Sequence, residues 1–490
     1  MEIRNFLLIA TFLGVSTLLQ AQDTLKLTLE QTIDRALSQS LMAQENEVAR
    51  ENAHWDWLLH KSNYRPQLVL TGELPNYTSS IEPVVQNDGN LAYRQIEQHR
   101  TTGALQLEQP IPFLGGSFYI SSQWQRFDNL QSSDLYYQAI PIQLGLNIPI
   151  LGYKALKWQK RIQPLKYHED LLNYDQQTQL TAQKAVNLYF QLLYQQSAKL
   201  TATNNLSVNQ RLYTLGSQKH EMGLISKDEL LQLKMLALKA QQTLSSAQVS
   251  YDEVLLTLKT FLKIPRDMPI QIGHPSSPPT LSINEEEAIN RALQNNPASI
   301  EIKRKLLEAK ANVAYAKGQT GAQLHLRANL GYTNDFNTLE NWNQHMQNYQ
   351  KVSLSFAIPI LDWGRTKSRI SQAEIARKLV THQVEQEKEQ LIQAILVHIA
   401  SIKSLGNQLE TARMTQITAT KRYQIAQNRY AADDLSVWEL QLAQQENEAA
   451  RQNHLQTLSA FWIQYYQLRI LTLYDFAQNE TLLTKKNEIL

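Results

Sequence analysis

Two long stretches of this chain repeat each other, and the repetition limits the fold more than any other feature. "TIDRAL" at Thr32–Leu37 returns as "AINRAL" at Ala288–Leu293, an offset of 256, and "PQLVLTGEL" from Pro66 returns as "AQLHLRANL" from Ala322 at the same offset. The match resumes at "IPIL", Ile148–Leu151 against Ile358–Leu361, with the offset now 210. It keeps that offset through "ISKDELLQLK" (Ile225–Lys234) and "LSVWELQLAQ" (Leu435–Gln444). The first copy therefore holds 46 extra residues (256 − 210) between Leu74 and Ile148. The fold must be one that uses the same unit twice.

Each copy alternates between two periodicities. Leu68, Leu70, Gly72 and Leu74 interleave with Gln67, Val69, Thr71 and Glu73. In the second copy Leu324, Leu326, Ala328 and Leu330 interleave with Gln323, His325, Arg327 and Asn329, and Val352, Leu354, Phe356 and Ile358 with Lys351, Ser353, Ser355 and Ala357. A period of two with one polar side predicts strands with one apolar and one wet face. Elsewhere Val380, Val384, Leu391, Ile395, Ile402, Leu405, Leu409 and Ala412 recur at spacings of three, four and seven. That is a narrow coiled-coil seam on a polar helix. Gly and Pro are scarce, 16 and 15 in 490 residues, which favours long helices.

The expected order in each copy is helix, strands, long helix, tip turn, helix. The first repeat spans 22–263, with one helix of about 35 residues before Arg65, strands over 66–149, a long helix over 153–222 and a helix over 226–263. Its extra residues read as an additional hairpin after the turn signal "FLGG" (Phe113–Gly116), with Phe118, Ile120 and Trp124 on one strand and Ile140 to Ile148 alternating on the next. A Pro-rich linker over 264–280 leads to the second repeat, 281–474, with strands over 322–361, a long helix over 364–432 and a helix over 436–474. Residues 475–490 form a C-terminal tail. At 1.5 Å per residue, each long helix approaches about 100 Å. A few strands with one apolar face cannot close a barrel alone, so that face must find lipid or other strands, and closing the sheet requires other copies of the chain.

Residues 1–21 read as a signal peptide: Arg4, then an apolar run from Phe6 to Leu19, then cleavage after Ala21. There is no cysteine, hence no disulfide, thiol nucleophile or Cys-bound metal. With 47 basic and 45 acidic residues the formal charge is +2, which gives no basic field for nucleic acid. No later run of apolar residues is long enough for a transmembrane helix, so a membrane is met through a β-barrel or the surface. Catalysis finds no support. "HEMGL" at His220 lacks the second His of a zinc protease, and phosphate loop, dinucleotide fingerprint and nucleophile elbow are absent. The sequence predicts no catalytic residue, no metal site and no cofactor.

The junction "IPIL" hands a strand to a helix. Pro359, without a donor, marks the end of the strand ladder, Asp362 suits a helix start and Gly364 permits a bend. Ile358 and Ile360 continue the lipid-facing alternation. The first copy keeps Pro149 but replaces Asp-Trp-Gly by Gly152-Tyr153-Lys154. "PILDWGRTKSRISQAE" (Pro359–Glu374), with the duplication, the signal peptide and the "MGLIS" turn at Met222–Ser226, resembles TolC-like outer-membrane efflux proteins (outer membrane factors).

The resemblance implies a mixed α and β membrane protein. It would be a homotrimer in which a twelve-stranded outer-membrane β-barrel continues into a long periplasmic α-helical coiled-coil barrel. The implied location is the outer membrane of a Gram-negative bacterium, in contact with its lipid. The implied role is the exit duct of a tripartite efflux or secretion system, opened by a periplasmic adaptor (membrane fusion protein) and an inner-membrane pump. Carried onto this chain, the tips that meet the adaptor are Gly223, Leu224, Ile225 and Ser226 in one copy and Leu435 and Ser436 in the other. Asp433, Asp434 and Glu439 are candidates for an acidic periplasmic constriction. Two departures stand out: the additional hairpin, against the family's four strands per protomer, and Asp433-Asp434-Leu435 where the first tip has Gly223-Leu224-Ile225.

Each of these residues also has a plain structural reading. The tips can be simple helix–helix turns with a glycine C-cap and serine N-caps, and Ser226/Glu229 and Ser436/Glu439 fit capping boxes. The acidic residues can serve the helix dipole alone. The competing reading of the whole chain is a secreted coiled-coil structural or adhesin-like protein without a pore. The alternating strands argue against it, because a filament has no use for them.

Overall fold

The computed structural model describes residues 25–86, 88–130, 134–273, 278–279, 281–344, 346–432 and 434–484. The expected signal peptide and Asp433 lie outside the described residues. In chain order, strand β1 (Leu25–Leu27) precedes helices α1 (Leu29–Gln39) and α2 (Leu41–Ser62). Four strands follow: β2 (Gln67–Val85), β3 (Leu91–Ile111), β4 (Gly116–Asn129) and β5 (Leu135–Leu151). Next come α3 (Ala155–Glu221), α4 (Lys227–Phe261) and the short β6 (Ile270–Ile272). The second half holds α5 (Glu285–Asn295), α6 (Pro297–Thr320), β7 (Gln323–Phe336), β8 (Gln347–Ala357), α7 (Arg365–Ala431) and α8 (Val437–Thr472). Two-residue strands β9 (Tyr474–Asp475) and β10 (Glu480–Thr481) end it.

Where periodicity reads one helix ahead of the strands, there are two. Ser40 interrupts the first, and its Oγ accepts the Ala43 amide at 3.1 Å. Asn296 interrupts the second, its Oδ1 accepting the Ala298 amide at 2.9 Å, with Pro297 opening α6. Side chains that compete for backbone donors, and a proline that has none to offer, make local caps cheaper than a continuous helix.

Two compact units share the chain. Among the described residues, one comprises those within 25–47, 177–285 and 396–482, the other those within 48–176, 286–395 and 483–484. In the first, β1 pairs in parallel with β6, Leu25 opposite Ile270 and Leu27 opposite Ile272. The expected linker is thus partly strand. Its prolines flank the pairing residues and leave their donors intact. Around this ladder Leu29, Val186, Tyr189, Leu192, Leu258, Leu262 and Trp462 form the core. Each such buried side chain stabilises by roughly 1.5–3 kcal/mol. Tyr189, with burial pushing its phenol up to about 12, donates to the Gly273 carbonyl at 2.8 Å. From the seam on α7, Ile402 and Ala412 are buried.

The second unit contains the sheet and helices that an ion network ties together. Arg304 on α6 donates Nε and Nη2 to the two oxygens of Glu169 on α3 at 2.7 and 3.0 Å, and Nη1 to Glu308 at 2.9 Å. Next to it Lys305 reaches Glu387 on α7 at 2.8 Å and Glu301 at 3.0 Å. Val384 and Ile395 of the seam are buried in this unit.

The sheet is antiparallel with order β2-β3-β4-β5-β7-β8. β5 is the counterpart of β8 by the repeat, so the additional hairpin is β3 and β4 rather than the two strands after "FLGG", and it sits inside the sheet. One face is apolar across the strands. Leu68 opposes Leu107, which opposes Ile120, then Leu144, then Leu330. One row along, Ile148 opposes Leu326, and Leu326 opposes Leu354. The other face carries Glu108, Tyr119, Asn329 and Lys351 in one row. There the Tyr119 hydroxyl donates to Asn329 Oδ1 at 2.7 Å, crossing over Gly145, where any side chain would strike the tyrosine ring.

The two "IPIL" copies differ, and both depart from expectation. β5 continues past Pro149 to Leu151, because β7 runs beside it: Pro149 opposes His325 and Leu151 opposes Leu324. β4 reaches only to Asn147, so Pro149 has a strand on one side alone, where a missing donor is tolerated. In the second copy β8 stops at Ala357, and Ile358–Leu361 lie outside any strand. Ile358 and Ile360 therefore do not continue the alternation within the chain; nothing is paired with them.

Candidate tip turns and strand-to-helix junctions

The first tip is a Schellman turn. Leu224 N–H bonds the Lys219 carbonyl and Gly223 N–H the His220 carbonyl, both at 2.9 Å, with Gly223 at φ +72°. That left-handed conformation costs an L-residue about 1–2 kcal/mol, which is why glycine stands there. Ser226 then caps α4, its Oγ accepting the Glu229 amide at 3.1 Å. Leu224 is exposed, whereas Ile225 is half-buried and its carbonyl lies 3.0 Å from His220 Nδ1.

The second tip reaches the same hydrogen bond with different residues: Asp434 N–H bonds the Arg429 carbonyl at 3.0 Å. Arg429 returns Nε to the Asp434 carboxylate at 2.9 Å and Nη2 to its carbonyl at 3.1 Å. Ser436 and Glu439 form the reciprocal capping box. Glu439 Oε2 accepts the Ser436 amide at 3.0 Å and its hydroxyl at 2.7 Å, while Ser436 Oγ accepts the Glu439 amide. These bonds hold the Glu439 carboxyl below the usual carboxylate range. Of the two tips, this one has the reciprocal bond; at the first, Ser226 accepts from the Glu229 amide without it. Leu435 is half-buried, packed on Ala426, Leu440 and Ala443 beside Tyr423 and Leu212.

At the second junction Asp362 is a true helix-start residue. Its Oδ1 accepts the Gly364 amide at 3.0 Å and its Oδ2 the Thr366 amide at 2.8 Å, which holds its carboxyl low. Gly364 takes φ +83° and the Thr366 hydroxyl donates to the Thr320 carbonyl at 2.9 Å, joining α7 to the end of α6. Pro359 follows the last residue of β8 by two positions. At the first junction Gly152 has φ +151°, and Tyr153 meets Tyr315 edge-on at 5.1 Å. Among the described residues no group of three His, Cys, Asp or Glu could hold a metal, and no helix is long and apolar enough to cross a membrane.

The sequence profile of the outer membrane efflux protein family matches residues 86–262 and 288–472, most of both repeats. The chain belongs to this family. No curated protein sequence matches it significantly. Solved structures resemble it in fold. The CmeC outer membrane channel of Campylobacter jejuni is 14% identical, with 94% of this chain and 89% of that chain covered and a TM-score of 0.66. The outer membrane protein VceC of Vibrio cholerae is 14% identical over 93% and 96%, with a TM-score of 0.64. The open-state MtrE channel of Neisseria gonorrhoeae is 14% identical over 93% and 91%, with a TM-score of 0.62. As an outer membrane efflux protein the chain is located in the outer membrane and extends into the periplasm.

In this efflux protein the two tips differ in what they offer. Met222, Leu224 and Trp438 are exposed, while Leu435 is turned inward. Met222, the first residue of the "MGLIS" turn, and Trp438, within one helical turn of the Ser436 cap, stand outside the tip residues carried over from the resemblance.

Proposed function

We propose that this protein is the outer-membrane exit duct of a tripartite efflux or secretion system. Three copies close a β-barrel in the membrane and a helical barrel in the periplasm. Substrates pass passively once a periplasmic adaptor and an inner-membrane pump have opened the helical end. The observation that carries this reading is the sheet: its exposed apolar face suits lipid, its other face is polar, and its strands hand over directly to 67-residue helices. A soluble filament would gain nothing from such a face.

In this reading the adaptor meets the tips, with Gly223, Leu224, Ile225 and Ser226 on one and Leu435 and Ser436 on the other. The exposed Met222, Leu224 and Trp438 supply apolar contact there. Asp434 and Glu439, repeated by the three-fold axis, and Asp433 with them, form the acidic constriction; like charges so arranged attract cations. Asp434 is already held by Arg429, so opening has to break or move that pair. Pro149, Gly152, Pro359, Asp362 and Gly364 turn the chain from barrel to helix. The experiment is reconstitution of detergent-purified protein in a planar bilayer. The duct reading expects a heat-sensitive trimer that conducts ions, with cation preference reduced by Glu439→Gln. A soluble monomer without conductance would instead support the secreted coiled-coil alternative.

A further inference from the structure

The sheet has two unpaired edges, β2 and β8, and the chain itself contains a template for how they are filled. β5, the last strand of the first copy, pairs with β7, the first strand of the second: Ile148 opposes Leu326, Leu146 opposes Ala328 and Gly145 opposes Asn329. By the sequence repeat, β7 corresponds to β2 (offset 256) and β5 corresponds to β8 (offset 210). Transferring the observed pairs places Ile358 opposite Leu70, Phe356 opposite Gly72 and Ser355 opposite Glu73.

We propose that β8 of one copy pairs with β2 of the next in this register, so that three sheets of six strands make a barrel of 18 (3 × 6) rather than twelve. The proposal rests on the trimeric duct reading above. A single six-stranded sheet falls short of the roughly eight strands of the smallest closed transmembrane barrels, so other copies must supply the rest.

Two observations support this register. The first is facial parity. Leu70 and Gly72 lie on the same apolar face as Leu354 and Phe356, as the pairings across all six strands show. The transferred register puts apolar opposite apolar and Ser355 opposite Glu73 on the polar face; a shift by one residue would have reversed every pair. The second is "IPIL" itself. Ile148–Leu151 are strand because Leu324–Leu326 lie beside them, and the same four residues at Ile358–Leu361 are not strand where no partner is present. The residues equivalent to Leu324–Leu326 are Leu68–Leu70 at the β2 edge, where Leu68 and Leu70 are exposed. The template carries the pairing on to Leu354 opposite Leu74, next to the point where β2 shifts register against β3. Barrel diameter grows about linearly with strand number, so the membrane section is roughly 1.5 times as wide as a twelve-stranded one.

The absence of native cysteine allows a clean test. Cross-strand neighbours have Cα atoms about 4.5–5.5 Å apart, inside the range a disulfide spans. Glu73→Cys/Ser355→Cys, oxidised in outer membranes, should run as a covalent trimer on denaturing gels. Glu73→Cys/Ser353→Cys, two residues out of register, should remain largely monomeric. Hydrogen exchange of the unmodified protein needs no substitution to fold and should show protected amides at Leu70–Glu73 and Ser355–Ile358. Preferential crosslinking of the displaced pair, or rapid exchange along both edges, overturns the register. A detergent-solubilised mass of two copies, with the in-register disulfide still formed, would leave the edge pairing standing and overturn both the trimer and the 18-stranded barrel.

Discussion

Arg304→Met is the perturbation whose magnitude the structure fixes best. The guanidinium grips both oxygens of Glu169, and the two side chains are only 20% and 11% exposed. Methionine fills a similar volume but leaves a nearly buried carboxylate with no counterion, a loss of about 3–5 kcal/mol for fully buried pairs. The residual exposure of Arg304 admits some solvent screening, which brings the expectation to about 2–3 kcal/mol. Glu308→Gln should cost less than about 0.5 kcal/mol, since that partner is 38% exposed. The assay is urea unfolding in detergent followed by helical circular dichroism, with Glu169→Gln and the double variant completing a cycle. A coupling of about 1.5 kcal/mol or more is expected between Arg304 and Glu169. If Arg304→Met unfolds within about 0.5 kcal/mol of the parent, the bidentate pair is not what holds α3 to α6.

Three further outcomes are expected. Gly223→Val should impair adaptor docking and export while leaving the trimer intact, because nothing lies within 4 Å of an added Cβ and the cost is purely the left-handed backbone; Gly223→Asn should be milder, and unchanged export in the valine variant would refute the tip assignment. Tyr465→Phe removes a 2.5 Å hydrogen bond to the buried Asp475 carboxylate and should destabilise by about 1.5–3 kcal/mol in thermal unfolding, even though Arg469 remains 3.4 Å from Asp475; an unchanged melting temperature would argue against it. Burial pushes the Asp175 carboxyl up, against the hydrogen bonds from Thr484 that pull it down. A raised folded pKa means the stability it contributes is full below the unfolded value and is lost as pH rises through the folded value. Asp175→Asn should therefore match or exceed the parent at neutral pH and lose that advantage toward the unfolded value of 3.8; a variant clearly weaker at neutral pH contradicts this.

What the sequence determined by itself are the features with a local cause. Period-two stretches such as Leu324–Leu330 lie in strands because alternation leaves one face apolar wherever the strand is placed. The Ser436–Glu439 capping box and the Asp362 helix start need only residues three or four positions apart. Family membership was legible because a duplicated pattern of strand exits and turns survives in the words themselves. Tertiary structure decided everything that depends on a distant partner. Glu169 and Arg304 are 135 residues apart, and Leu435 proved half-buried because Ala426, Leu440 and Ala443 surround it. The linker yielded β6 because β1, some 245 residues earlier, lay alongside (270 − 25). "IPIL" makes the division plain: four identical residues form strand where β7 pairs with them and none where nothing does, since a strand's hydrogen bonds belong to its neighbour.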